Sequence, residues 1–317
     1  MERNVDMSEV IMIVGCPASG KGTLSKSFID QGYITLNRDT EGGTISNLLP
    51  KMEMLLNSQK NIVLDNTFST AETRKPFINL AKQYKAKMLC LIMSTSIEDA
   101  QINALFRMYD RYGKVFLTAK DMKDIKDPNI FPSAVLFKYR KEYEKPDMSE
   151  GFDSIKVTLF IRKLRGYQNK AIILDYDGTL RESTGQHEFP TKVSEVKILP
   201  GRKEVLQQKL KEGYLLLGAS NQSGIAKGIL TEQAAIDCFK YTNEQLGVNI
   251  DFHYCPHQIP PMVCYCRKPQ AGLGVILIEK HKLDPAQCIM VGDMKTDNTF
   301  AKRLGFQYQD FMTFFKR

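Results

Sequence analysis

Short, largely apolar runs recur along this chain, and each ends in a tight group of small or polar residues. Ile11 to Val14 runs into Gly15, Gly32 to Leu36 into Asn37-Arg38-Asp39-Thr40, and Asn61 to Leu64 into Asp65-Asn66-Thr67. A longer run spans Ala86 to Met93 and precedes a segment with helical character from Ile97 to Tyr112. The second half repeats the theme. Ala171 to Leu174 feeds Asp175, Leu215 to Ala219 feeds Ser220, and Ile289 to Gly292 feeds Asp293. Runs that are apolar at successive positions, rather than alternating, are what strands buried on both faces require. Strands that alternate with helices predict doubly wound parallel sheets, with polar residues gathered at the strand ends where ligands bind. A chain of 317 residues suggests two α/β domains of this kind. The boundary is expected at 162/163, giving domains over 1–162 and 163–317.

The first polar group is Gly15-Cys16-Pro17-Ala18-Ser19-Gly20-Lys21-Gly22-Thr23. It has the form Gly-x-x-x-x-Gly-Lys and lies between a strand and a helix, the context in which backbone amides and a helix amino terminus cradle phosphates. Gly15, Ser19, Gly20, Lys21, Gly22 and Thr23 are therefore candidate nucleotide-binding residues, with Lys21 reaching the β- and γ-phosphates. The residue after the lysine, where a magnesium-holding hydroxyl usually stands, is Gly22.

In the second half, Asp175-Tyr176-Asp177-Gly178-Thr179-Leu180 presents two carboxylates, spaced two apart, at a strand end where Gly178 lets the backbone turn. Further on, Cys255 and His257, a spacer of six residues, and Cys264 and Cys266 make two tight pairs. Four such donors in one short loop match a tetrahedral structural zinc site. The remaining cysteines, Cys16, Cys90, Cys238 and Cys288, read as buried thiols. Seven cysteines, an odd number, argue against a disulfide framework and for a reducing, intracellular setting in cytoplasm or nucleus. An apolar fraction of 43% supports two packed cores, and no stretch approaches a membrane span. The excess of 44 Lys and Arg over 36 Asp and Glu, a net charge of +8, is a mild pointer to anionic partners. Part of it lies in Lys156 to Lys170, which contains no acid and reads as a solvated linker or, more sharply, a basic seam.

The Asp-x-Asp-Gly-Thr of Asp175 to Thr179 resembles the first motif of the haloacid dehalogenase superfamily of phosphotransferases. Its later motifs recur in order: Ser220-Asn221-Gln222, Arg267-Lys268-Pro269, and Gly292-Asp293 with Asp297. The resemblance implies that Asp175 is the nucleophile and Asp177 the acid and base. By the same likeness Ser220 and Lys268 bind phosphoryl oxygens, and Asp175, Asp177, Asp293 and Asp297 surround Mg2+. Asn221, Gln222 and Arg267 fall on the substrate side. Residues 181 to 199 look like an irregular flap, with His187 a surface residue and no insert large enough for a cap domain. The loop from Cys255 to Cys266 is similar to one in the histidinol-phosphatase and heptose-bisphosphatase branch of that superfamily.

The first half resembles the kinase domain of polynucleotide kinase-phosphatases through the P-loop, Asn37 to Thr40, Asp65-Asn66-Thr67, and the helix through Asn103 and Arg107. That likeness implies Asp39 as base toward a 5′-hydroxyl, Arg38, Asp65 and Asn66 on the acceptor side, and Arg107 as a lid residue. Together the resemblances imply a nucleic-acid end-repair enzyme acting on DNA or RNA strand ends, with ATP, Mg2+ and Zn2+. The alternative is a small-molecule kinase fused to a sugar- or histidinol-phosphate phosphatase. A third class, a P-loop scaffold that only binds strand ends, is disfavoured because every expected catalytic residue is present.

Overall fold

The computed structural model describes residues 7–163, 165–260 and 263–316. Leu164 of the basic stretch, and Pro261 and Met262 of the six-residue spacer, lie outside them. The first sheet is formed by β1 (Glu9–Val14), β2 (Ile34–Leu36), β3 (Ile62–Asp65), β4 (Lys87–Met93) and β5 (Ser154–Thr158). Its helices are α1 (Lys21–Ile29), α2 (Arg38–Glu41), α3 (Leu49–Asn57), α4 (Ala71–Gln83), α5 (Ile97–Tyr112) and α6 (Ser133–Glu142). The strand order is β2-β3-β1-β4-β5, every pair parallel, with Met12 beside Leu64 on one side and Cys90 on the other. Val10 to Val14 are almost wholly buried, as a strand covered on both faces must be. Because β1 has neighbours on both sides, the chain's path reverses there, and its carboxyl end opens a crevice. That crevice holds the P-loop.

The second sheet comes from β6 (Ala171–Leu174), β9 (Leu215–Asn221), β10 (Asp251–Cys255), β11 (Ile289–Gly292) and β12 (Gln307–Asp310), with a hairpin of β7 (Arg181–Ser183) and β8 (Val196–Ile198). Its order is β10-β9-β6-β11-β12, again all parallel, and β6 is central. The helices are α7 (Arg202–Lys211), α8 (Ser223–Ala226), α9 (Glu232–Leu246), α10 (Gly272–His281), α11 (Lys295–Leu304) and α12 (Phe311–Phe314). α9 is bounded as local chemistry prescribes: Thr231 accepts from Ala234 N at its start, and Gly247, at φ 63°, ends it in the left-handed region. Ile172, Leu174, Tyr176 and Phe239 form the heart of this core.

The chain divides into two compact units, one of residues 1–104 and 126–162, the other of 105–125 and 163–317. α5 therefore begins in one unit and ends in the other. Within the second unit, Arg165 pairs with Asp110 at 2.7 Å and with buried Glu279 at 3.1 Å, and its guanidinium lies 4.4 Å from the Phe106 ring centroid. Arg162 pairs with Asp99 in the first unit. The arginines of the basic stretch are thus tied to acids of their own units. Lys156 and Lys163 are exposed. No helix among the described residues is long and apolar enough to cross a membrane.

Candidate active sites

The P-loop is clamped from its flanks. Thr95 Oγ1 donates to Ser19 O at 2.7 Å and Asn103 Nδ2 to Ala18 O at 2.9 Å. Gly15 is required by close approach, since a Cβ there would meet Ser19 Oγ at 2.6 Å and Met93 Cβ at 2.9 Å. Gly20 caps α1 at φ 93°, a conformation that favours glycine. Lys21 Nζ donates to the carbonyls of Gly15 at 3.1 Å and Cys16 at 2.9 Å, which sets its charge against the loop. Ser19 Oγ is buried without a hydrogen-bond partner. Gly22 and Thr23 are exposed, and a Cβ on Gly22 would lie 3.6 Å from Asp65 Oδ2. A carboxylate therefore faces the place where a hydroxyl side chain would begin. Burial pushes the Asp65 carboxyl up, while the Lys21 charge pulls it down.

The turn expected on the acceptor side is built from two strand ends. Asn37 caps α2 by accepting from Asp39 N at 2.7 Å, and Asn66 Oδ1 accepts from Arg38 N at 3.1 Å. Arg38 Nη2 and Asp39 Oδ1 pair at 2.8 Å in the open. Arg107 lies on the part of α5 that clusters with the second unit. It already takes part in an interaction.

At the end of β6, Asp175 is buried and lies 3.0 Å from Lys268 Nζ, which in turn lies 2.7 Å from Asp297 Oδ1. The ammonium thus sits between two carboxylates at ion-pair distance from both. Such a cluster suits a cradle whose remaining coordination is meant for a ligand. Asp175, Asp293 and Asp297 bring carboxylate oxygens within 4.8 Å of one another, close enough to hold one divalent cation. Burial pushes the Asp175 carboxyl up to about 6; the Lys268 ammonium opposes the rise, and Asp297 and Asp177 add to it. For Lys268, burial disfavours the charge, but the Asp175 and Asp297 carboxylates outweigh it and raise the pKa. Gly178 allows Asp293 to approach, since a Cβ there would lie 2.5 Å from Asp293 Oδ2.

Asp177 is aimed by a clamp. Its Oδ1 accepts from Arg181 Nε at 2.8 Å and its Oδ2 from Gln222 Nε2 at 2.7 Å. Arg181 is 1% exposed, donates to Thr242 Oγ1 at 3.0 Å, and lies against the rings of Phe239 and Tyr176 with centroids 4.8 and 5.3 Å away. In the sequence Arg181 falls at the start of the expected flap, with nothing local to mark this role. Gln222 also donates to Ser220 Oγ at 3.1 Å. Asn221 holds the Lys268 backbone from both sides, donating to Lys268 O at 3.0 Å and accepting from Lys268 N at 2.9 Å. Asn221 and Gln222, expected on the substrate side, turn inward and position the lysine and the acid. Arg267 donates to His257 O at 3.3 Å.

Just before Lys268, Cys255, His257, Cys264 and Cys266 bring their donor atoms within 4.8 Å of one another. Sγ of Cys255 and of Cys264 are 3.8 Å apart, and His257 Nδ1 is 3.2 Å from Cys266 Sγ. These separations fit four ligands around one ion. Between two of them, Tyr265 N donates to Leu117 O at 2.8 Å, so the loop also holds the segment that follows α5.

Comparison with known proteins finds a match in each half of the chain. A family model described as an AAA domain matches residues 10–127, and one described as polynucleotide kinase 3 phosphatase matches residues 170–315. D-glycero-beta-D-manno-heptose-1,7-bisphosphate 7-phosphatase of Haemophilus influenzae is 36% identical over 138 residues, covering 41% of this chain and 73% of the relative. The bifunctional polynucleotide phosphatase/kinase of Schizosaccharomyces pombe is 28% identical over 162 residues, covering 51% of this chain and 36% of the relative. Among solved structures, the chain is similar to one in a Pnkp1/Rnl/Hen1 complex, with 14% identity, 96% coverage of both chains and a TM-score of 0.33.

Proposed function

We propose that this chain, which matches an AAA domain model over residues 10–127 and the polynucleotide kinase 3 phosphatase model over residues 170–315, is a two-headed enzyme that mends nucleic-acid ends. One head transfers the γ-phosphoryl of ATP to a 5′-hydroxyl; the other removes a 3′-phosphate. The observation that carries this reading is the presence in one chain of a P-loop with its own acceptor-side turn and of an aspartate pair built for phosphoryl transfer. Ends with a 5′-hydroxyl and a 3′-phosphate need both steps before they can be joined.

In the kinase reaction, Lys21 and the amides of Gly15 to Thr23 hold the β- and γ-phosphates. Asp39 takes the proton of the attacking hydroxyl, and Arg38 and Asn66 fix the turn that carries it. The protein's contribution is placement and charge, which is most of what this chemistry asks.

In the phosphatase reaction, the Asp175 carboxylate attacks phosphorus and the bond to the leaving oxygen breaks. Asp177, held by Arg181 and Gln222, protonates that oxygen. It then draws a proton from the water that attacks the aspartyl-phosphate, returning Asp175 as carboxylate and releasing phosphate. Lys268 and Ser220 face the phosphoryl oxygens. Asp175 and Asp293, with the Asp177 carbonyl and Asp297 behind, would hold Mg2+, which offsets phosphoryl charge. The Cys255–Cys266 donor set would hold a structural Zn2+, since all four positions of a tetrahedron are taken by protein.

The sulfur-rich loop and the similarity to heptose bisphosphatases favour one competing reading, a sugar-phosphate phosphatase. End-labelling of a 5′-hydroxyl oligonucleotide from γ-labelled ATP, with phosphate release from a 3′-phosphate oligonucleotide, tests both heads. Efficient turnover of a sugar bisphosphate with oligonucleotides inert would overturn the proposal.

A further inference from the structure

The β7–β8 hairpin leaves the phosphatase site directly, because Asp177 bridges to Arg181, where β7 begins. Its loop carries His187, exposed, with its ring stacked on Phe189: the centroids are 5.7 Å apart and the planes 13° from parallel. Phe189 is anchored. It is partly buried against the core of the second unit, and a Cβ on Gly224 would come within 2.7 Å of its ring. Gly224 belongs to α8, two residues beyond the Gln222 whose amide lies 2.7 Å from Asp177 Oδ2. One aromatic ring is therefore locked beside the Asp177 clamp and supports a second ring whose outer face meets solvent. Residues 184–191 contain no lysine or arginine, so this surface is not made for phosphates. An exposed flat ring fixed by a second one is the kind of platform on which nucleobases stack, with little regard to sequence.

The geometry points to His187 as a specificity-determining residue of the phosphatase head, stacking on the base of the 3′-terminal nucleotide whose phosphate Asp175 attacks. The proposal rests on the polynucleotide reading above and deepens it, because a sugar phosphate offers no base to the ring. Two substrates isolate the effect: a 3′-phosphate oligonucleotide with an intact terminal base and the same strand with an abasic terminal residue. The wild-type protein should prefer the intact end by roughly 5- to 100-fold, carried mainly by KM. In His187→Ala this ratio should collapse toward one, and His187→Phe should restore it. A ratio that survives in His187→Ala overturns the assignment. A wild-type protein inert on both strands but active on a sugar bisphosphate instead overturns the polynucleotide reading, so the two failures look different.

Discussion

Replacing Arg181 by methionine tests the clamp on Asp177 most sharply. The side chain is buried, and the change removes the bond to Asp177 at 2.8 Å, the bond to Thr242 at 3.0 Å, and the charge lying against Tyr176 and Phe239. Breaking a buried ion pair by deleting one partner costs about 3–5 kcal/mol. Asp177 keeps 18% side-chain exposure, so water offsets part of this and the lower end, about 3 kcal/mol, applies. For a body of this size that lowers the melting temperature of the phosphatase half by roughly 6–12 °C. The catalytic effect is separate. A positioned acid–base group contributes about 10²–10⁴ in rate. Gln222 still holds the other carboxylate oxygen, so a fall of about 10² in kcat for 3′-phosphate removal is expected. Arg181→Lys keeps the charge but lacks the rigid fork that bonds Asp177 and Thr242 together, and should fall between wild type and Arg181→Met. Calorimetry and single-turnover phosphate release read the two effects independently. A lowered melting temperature with kcat unchanged would mean that Arg181 only packs the core and that the clamp reasoning is wrong.

Lys21→Ala or Asp39→Ala should abolish 5′-phosphorylation while 3′-phosphate removal continues, and Asp175→Asn should do the reverse; full kinase activity in Asp39→Ala would remove it as the base. Gly292→Ala places a Cβ 2.6 Å from Asp297 Cγ, so Asp297 must leave Lys268, and phosphatase activity should drop with kinase activity kept. Cys264→Ser should lower zinc content, measured by elemental analysis, and should speed hydrogen exchange both around Lys268 and at the Tyr265 amide, which donates to Leu117 O; stoichiometric zinc in the variant would contradict the ligand assignment. Turnover of oligonucleotide ends should fall as salt rises, because contacts with several phosphates release counterions.

Much of both candidate sites is legible in the sequence because the motifs are local. The P-loop and the Asp175–Asp177 pair sit in a few consecutive residues, and the apolar run before each marks the strand that presents it. The cysteine–histidine cluster was readable from spacing for the same reason. What escaped the sequence depends on distant partners. Arg181 looks like any flap arginine until Thr242 and Phe239, some 60 residues on, close around it. Asn221 and Gln222 follow a strand end and read as substrate contacts; only the fold brings Lys268 and Asp177 within reach of their amides. The arginines of the basic stretch looked solvated because their acids, Asp99, Asp110 and Glu279, lie far off in the chain. Residues 105–125 show the same effect on a larger scale, since no change in composition marks their allegiance to the second unit.

The division of α5 between the units bears on how the protein can be dissected. The chain passes from one unit to the other and back before it finally leaves the first at Arg162. A cut between residues 162 and 163 would therefore not release two independent pieces. The amino-terminal fragment would carry away Phe106, Asp110 and Leu117, whose partners Arg165 and Tyr265 belong to the other fragment. Fragments made by such a nick should stay together through gel filtration, and two halves expressed separately should recover full stability only when mixed.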